Sequence, residues 1–229
     1  MAAYDRRGSG TTVSRPERHD QVSDLRAVLD GLGMDRAVLV GNSRGGQIAL
    51  DTALTLPERV SGLVLVAPAV SGAPPTEDSD VDATTAALWG HLEAAGAAGD
   101  LDALNMGEIR LWLDGPAAPE GRVGGGLREL ALDMNDRVLR APDPGYEPEP
   151  IDAWYRLDEV TCPTLVVVGD LDLPHMQARC RYLADHIPGA HMVVMPGRAH
   201  LPAFEDPEGF AAIVRHFLAS SGLPGDAAP

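Results

Sequence analysis

The hexapeptide Gly41-Asn42-Ser43-Arg44-Gly45-Gly46 stands between an apolar, β-branched run and a helical one. No other stretch of the chain constrains the fold as strongly. The run before it, Arg36-Ala37-Val38-Leu39-Val40-Gly41, reads as a strand buried on both faces. Residues 45–54 read as a helix that Pro57 closes. Residues 63–68, 164–169 and 191–195 are further strands of the same character. Helical spacing separates them. Val22, Leu25, Val28, Leu29 and Leu32 precede the first strand, Gly31 and Gly33 stop that helix, and Ser14-Arg15-Pro16-Glu17 is its candidate capping box. Residues 176–187 and 207–220 are helical, the last burying Phe210, Ile213, Val214, Phe217 and Leu218. Strands alternating with helices predict an α/β fold around a mostly parallel sheet.

Between the second and third strands the rhythm breaks. Residues 71–157 are rich in Ala, Gly and Pro, with helical segments at 83–95, 101–113 and 127–139 and an irregular return over 143–150. The expected organisation is a core of residues 1–70 and 158–221, with 71–157 as a helical cap over the strand ends. Residues 222–229 form a frayed tail.

A hydroxyl on a sharp strand-to-helix turn points to nucleophilic chemistry. The motif G-x-S-x-G puts the serine in a strained conformation, requires small residues two positions away on either side, and aims a helix N-terminus at it. Ser43 then needs a base, and the base an orienting carboxylate. Of seven histidines, His19 precedes the nucleophile and His91 lies in the insertion. His175, His186 and His216 fall on helices or their edges, and His191 starts a strand at the wrong end of the sheet. His200 alone follows a strand in a loop at the carboxyl edge, where Ser43 also sits. The acid should leave the preceding strand at that edge, in Gly169-Asp170-Leu171-Asp172. Asp172 has more room to turn towards His200, while Asp170 can hold the turn by side-chain hydrogen bonds and remains the alternative acid.

Composition narrows the partners. A formal charge of −16 repels phosphate backbones and anionic head groups, so neither nucleic acid nor membrane is expected as a partner. The N-terminus has no apolar run of signal-peptide length, and Cys162 and Cys180 make no disulfide or zinc framework. A reducing cytoplasmic setting follows. His175, Cys180, His186 and His191 match no metal-ligand spacing, so no metal is expected, and chemistry carried by Ser43, His200 and Asp172 implies no cofactor.

Several motifs together resemble the α/β-hydrolase superfamily, in its single-domain, helical-cap, serine-nucleophile branch. Tyr4-Asp5-Arg6-Arg7-Gly8-Ser9-Gly10 is similar to the family's D-x-R-G-x-G turn, and residues 41–46 resemble its nucleophile elbow. Leu56-Pro57-Glu58-Arg59-Val60 resembles H-P-E-R-V, and Trp112-Leu113-Asp114-Gly115-Pro116 a cap motif. Val167-Val168-Gly169-Asp170-Leu171-Asp172 resembles the acid turn, in which the last Asp is the triad acid. Gly197-Arg198-Ala199-His200-Leu201-Pro202 resembles the histidine loop, followed by Glu205-Asp206-Pro207-Glu208. The resemblance implies an α/β-hydrolase fold, a mostly parallel sheet with helices on both faces and a helical cap. It also implies ester-type hydrolysis of a small molecule by Ser43, His200 and Asp172, with the Arg44 N–H at the oxyanion. A serine nucleophile argues against the dehalogenase and epoxide hydrolase branches, which use a carboxylate. The family's first three strands and its His-Gly oxyanion loop are not in this sequence. The expectation is therefore an N-terminally truncated chain, loosely folded and nearly inactive by itself. The rival reading is a non-catalytic remnant of the fold.

Overall fold

The structure is a computed structural model and describes residues 1–12, 14–75, 81–145, 148 and 151–224. Residues 146, 147, 149 and 150 of the expected irregular return, and residues 225–229 of the expected tail, lie outside the described residues. Four strands, β1 (Ala37–Asn42), β2 (Val60–Val66), β3 (Thr164–Gly169) and β4 (His191–Met195), form one sheet in the order β1-β2-β3-β4. All three pairings are parallel, with Leu39 opposite Leu63, Val64 opposite Leu165 and Val167 opposite Val193. Parallel neighbours need crossovers, and helices supply them. The helices are α1 (Gln21–Gly31), α2 (Arg44–Thr55), α3 (Ala83–Ala98), α4 (Leu101–Ile109), α5 (Gly125–Leu139), α6 (Pro174–His186), α7 (Pro202–Glu205) and α8 (Pro207–Ser220); α2 joins β1 to β2, α3, α4 and α5 lie between β2 and β3, and α6 joins β3 to β4.

Two apolar layers explain the unbroken hydrophobic runs. On one face Leu39, Leu63, Leu65, Val166 and Val168 pack with Leu25 and Leu29 of α1, Leu50 and Ala53 of α2, and Cys180 and Leu183 of α6. On the other, Val64, Val66, Leu165 and Val167 pack with Phe217 of α8, while Phe210, Ile213, Val214 and Leu218 are only partly buried against them. A strand covered on both sides has no polar face to show. β1 departs from the expectation of two buried faces: Val40 is 53% exposed. It sits on the α8 side of an edge strand, two residues beyond Val38, and among the described residues no helix covers it there.

The cap of α1 is also not where the sequence placed it. Asp20 accepts the N–H groups of Val22 and Ser23, while Glu17 pairs with Arg7 instead. Arg7 in turn binds Asp24 of α1 through its Nε, at 2.7 Å, so the N-terminal turn is tied to the first helix. Between β2 and β3, helices α3, α4 and α5 pack on one another. Asn105 donates to the Leu132 carbonyl and Asn135 to Glu108. The helix expected to run to residue 113 ends at Ile109, and a π-helical turn, Arg110–Asp114, continues it. The Arg110 guanidinium donates to the Gly115, Pro116 and Ala118 carbonyls, which bend the chain back there.

Both cysteines are free thiols, Cys162 half-buried and Cys180 buried. Burial pushes the Cys180 thiol up to about 12, so at neutral pH almost none is the reactive thiolate. We expect Cys180 to resist thiol reagents at neutral pH until denaturant unfolds the chain, as mass spectrometry of alkylated protein would show. The sheet makes a sharper forecast. Leu63→Ala, at a side chain with no exposure, should cost about 2–5 kcal/mol of unfolding free energy. Val40→Thr should change it by less than about 0.5 kcal/mol. Chemical denaturation of both variants checks where the core ends.

Candidate active site

The carboxyl ends of four parallel strands lie along one edge, and each is followed by a turn that carries a polar residue or a proline. Ser43 follows β1 with φ 50° and ψ −115°, a left-handed conformation that a non-glycine residue adopts only under constraint. The constraint is visible in the hydrogen bonds. The Ser43 N–H donates to the Val66 carbonyl at 2.9 Å, and its carbonyl accepts from Gln47 at 3.1 Å and Ala69 at 3.0 Å. A Cβ on Gly41 would overlap the backbone of Gly45 and Gly46. A Cβ on Gly46 would come within 2.6 Å of Pro68. Gly45, expected to be the obligatory small residue on the helix side, has open space around its Cβ position; Gly46 takes that role because it faces Pro68. Arg44 opens α2, whose first-turn amides point out of the helix towards the Ser43 side. Its side chain turns back along the helix to Gln47, at 3.1 Å.

On the far side of the edge, the structure brings His200 onto Asp172. The ring Nδ1 lies 2.9 Å from Asp172 Oδ2, with both side chains buried. The carboxylate acceptor assigns the proton to Nδ1 and leaves Nε2 as the basic nitrogen. The second Asp172 oxygen accepts the Leu173 N–H at 2.8 Å. Asp170 points elsewhere: its Oδ1 accepts the Gly197 N–H at 2.6 Å, so it holds the histidine loop by its backbone. Gly169 permits this packing, because a Cβ there would overlap the carbonyl oxygens of Arg198 and Ala199.

Ser43 and His200 are linked through Asn42. Its side-chain amide donates to the Val66 carbonyl at 3.0 Å and to the His200 carbonyl at 3.2 Å. Among the described residues no hydrogen bond joins the Ser43 hydroxyl to His200. In ligand-free sites such bonds are often long. Two participants had no role in the sequence reading. Asn42 is one. The other is Trp112, whose ring lies 4.5 Å from the His200 ring and whose carbonyl accepts the His200 N–H at 3.1 Å. The only sequence signal for Trp112 was its place in a motif; nothing in the spacing tells that residue 112 meets residue 200.

Two other features lie apart from Ser43, Asp172 and His200. Asp51 of α2 accepts from Ser71 at 2.9 Å, and burial pushes its carboxyl up. A cleft of about 560 Å³ opens beside α6, lined by Trp154, His175, Arg179, Arg181 and Tyr182 among others, and none of Ser43, Asp172 or His200 lines it.

With this geometry in hand, comparison with known proteins is informative. A sequence profile of the Alpha/beta hydrolase family matches residues 2–213. The chain is 31% identical over 209 residues to a 2-hydroxymuconate semialdehyde hydrolase of Pseudomonas sp. strain CF600, covering 85% of this chain and 66% of that protein. It is 30% identical over 200 residues to a pimeloyl-[acyl-carrier protein] methyl ester esterase of Neisseria meningitidis serogroup B, covering 85% and 75% respectively. Among solved structures, Est816, described as an N-acyl homoserine lactone degrading enzyme, superposes with a TM-score of 0.64 at 29% identity, over 93% of this chain and 80% of that one. The chain thus spans about two thirds to three quarters of the length of these curated relatives. Since the profile match takes in the Ser43 turn, the Asp172 turn and the His200 loop alike, the protein belongs to the α/β-hydrolase family.

Proposed function

We propose that the protein is a serine hydrolase that cleaves a small-molecule ester through an acyl-enzyme. The observation that carries this reading is the buried Asp172–His200 pair, on the same sheet edge as a serine held in a left-handed turn. Asp172 fixes the ring so that Nε2 is free to take the Ser43 proton. The Ser43 oxygen attacks the substrate carbonyl, and the developing oxyanion faces the N–H of Arg44 at the start of α2. Collapse breaks the carbon–oxygen bond and releases the alcohol, which takes the proton from His200. Water then attacks the acyl group, giving its proton to His200; the acid leaves as Ser43 regains its hydrogen. The reading needs no metal or cofactor. The relatives support carbonyl chemistry of this kind: one is named for a methyl ester and another for a lactone, a cyclic ester.

Residues 71–157 form the cap in this reading and set which substrate fits. The free thiols suit a reducing compartment such as the cytoplasm, and no helix among the described residues is long and apolar enough to cross a membrane.

A fluorophosphonate probe should label the native chain at Ser43 and leave Ser43→Ala unlabelled. A native chain that takes no label would favour the non-catalytic remnant. The two carboxylates give a second test. Asp172→Asn should lower p-nitrophenyl ester turnover by about 10⁴-fold, as loss of the orienting charge does in other triads. Asp170→Asn keeps an acceptor for the Gly197 N–H and should stay within about tenfold of the native rate. Reversal of that order would reassign the acid.

A further inference from the structure

The loop that carries His200 is held almost entirely by groups outside itself. The Gly197 N–H goes to Asp170, the Arg198 carbonyl accepts from Leu171, the His200 N–H goes to Trp112, and the His200 carbonyl accepts from Asn42. Two further groups, the Gly197 carbonyl and the Ala199 N–H, meet one ion pair, and the Arg198 guanidinium also donates to the Gly197 carbonyl at 3.1 Å. Arg122 Nη1 donates to the Gly197 carbonyl at 2.9 Å, and Glu205 Oε1 accepts the Ala199 N–H at 2.8 Å. The two side chains meet at 2.6 Å between Arg122 Nη2 and Glu205 Oε2. The Glu205 side chain is 2% exposed.

Arg122 is itself anchored in the segment between β2 and β3. Its Nε donates to the Asp114 carbonyl at 2.8 Å and Nη2 to the Leu113 carbonyl at 2.5 Å, both in the π-helical turn that also carries Trp112. The residues flanking Arg122 are pinned by the fully buried Asp114 carboxylate, which accepts the Gly121 and Val123 N–H groups and pairs with Arg128. Such a chain of charge-assisted bonds has one acceptable geometry, because each break leaves a buried polar group unpaired. It ends one residue before His200.

We propose that Arg122 and Glu205 are positioning residues for the catalytic histidine: the pair clamps Gly197 and Ala199 to the turn Arg110–Asp114, so that the His200 ring stays on Asp172 with Nε2 aimed at Ser43. The role rests on the serine-hydrolase reading. Neither side chain bonds to Ser43, Asp172 or the His200 ring. Their removal leaves the groups that take part in the reaction intact and lets the loop drift. Shifts of about 1 Å in a reacting group cost on the order of 10²-fold in rate.

The test uses the whole chain, with Arg122→Ala, Glu205→Gln and, as a control, Arg140→Gln, which removes an exposed guanidinium paired with Asp136 and Asp102 away from the loop. Turnover of a p-nitrophenyl ester is measured with thermal melts, and the downfield proton on His200 Nδ1 is followed by NMR. We expect kcat to fall roughly 10- to 100-fold in both test variants, with KM within about twofold. The Nδ1 proton signal should weaken through faster exchange while the fold persists. Guanidinium ion should restore part of the turnover to Arg122→Ala and none to Ser43→Ala. Arg140→Gln should match the native chain in every readout. Glu205→Gln keeps an acceptor for Ala199 and preserves the fold if Arg122→Ala does not. Native turnover in folded variants, or lost turnover with an unchanged Nδ1 signal, would overturn the clamp. If Ser43→Ala keeps the native turnover, the hydrolase reading fails instead, and the Nδ1 signal still reports whether the pair holds the ring.

Discussion

The arrangement along the sheet edge depends on one hydrogen bond, from His200 to Asp172. A carboxylate and an imidazole taken together out of water are stable only if each finds the other in good geometry. Both side chains are almost fully buried, so a small displacement of the loop would leave Asp172 a buried charge facing an apolar wall. That penalty is several times the worth of an ordinary surface contact. The surrounding structure is organised to prevent it. Leu173 satisfies the other Asp172 oxygen, Asp170 fixes the start of the histidine loop, Trp112 covers the ring, and Gly169 leaves room for the loop backbone to lie against the end of β3.

Ser43 is held by a different means, through backbone rather than side-chain contacts. Its left-handed conformation is unfavourable by itself and survives because three hydrogen bonds, to β2, to α2 and to the turn after β2, fix it from both sides. Two of those bonds reach β2 and the turn that follows it. The serine is therefore set by the register of β1 on β2, and His200 by that of β4 on β3. The sheet is the frame that relates them, and the Asn42 side chain bonds to both halves.

Much of this frame was legible in the sequence, for a physical reason. β2 from Leu63 onwards and β3 are buried on both faces, so each appears as an unbroken apolar run, and α1, α2 and α6 show an inward apolar stripe. Val40 misled because a run of Ala, Val and Leu looks the same whether or not a helix covers its second face. Asp20 was passed over as a cap because Ser14 and Glu17 offered the spacing of a capping box, whereas the true partner of Glu17, Arg7, lies ten residues away in sequence. Gly45 and Gly46 could not be told apart, because what separates them is the position of Pro68. Asp170 and Asp172 stood as alternatives for the same kind of reason. They are two residues apart on one turn, and only the approach of residues 197–200 gives each a distinct partner. The Trp112 contact was invisible altogether: it joins two elements nearly ninety positions apart through a tilted ring contact and a main-chain bond, neither of which leaves a mark on composition or spacing.

The π-helical turn Arg110–Asp114 has a consequence for how such proteins diverge. In topology the segment between β2 and β3 is an excursion, entered and left at neighbouring strands, and so a natural unit for recombination. Mechanically it is not separable, because the Trp112 carbonyl and ring are part of the seat of residue 200. A chimera with breakpoints at the two strand ends would inherit a foreign seat for its own histidine. Grafts that carry the same turn geometry would be interchangeable. Those that differ there would have to be repaired at the loop after β4, so inherited changes in the two regions should travel together.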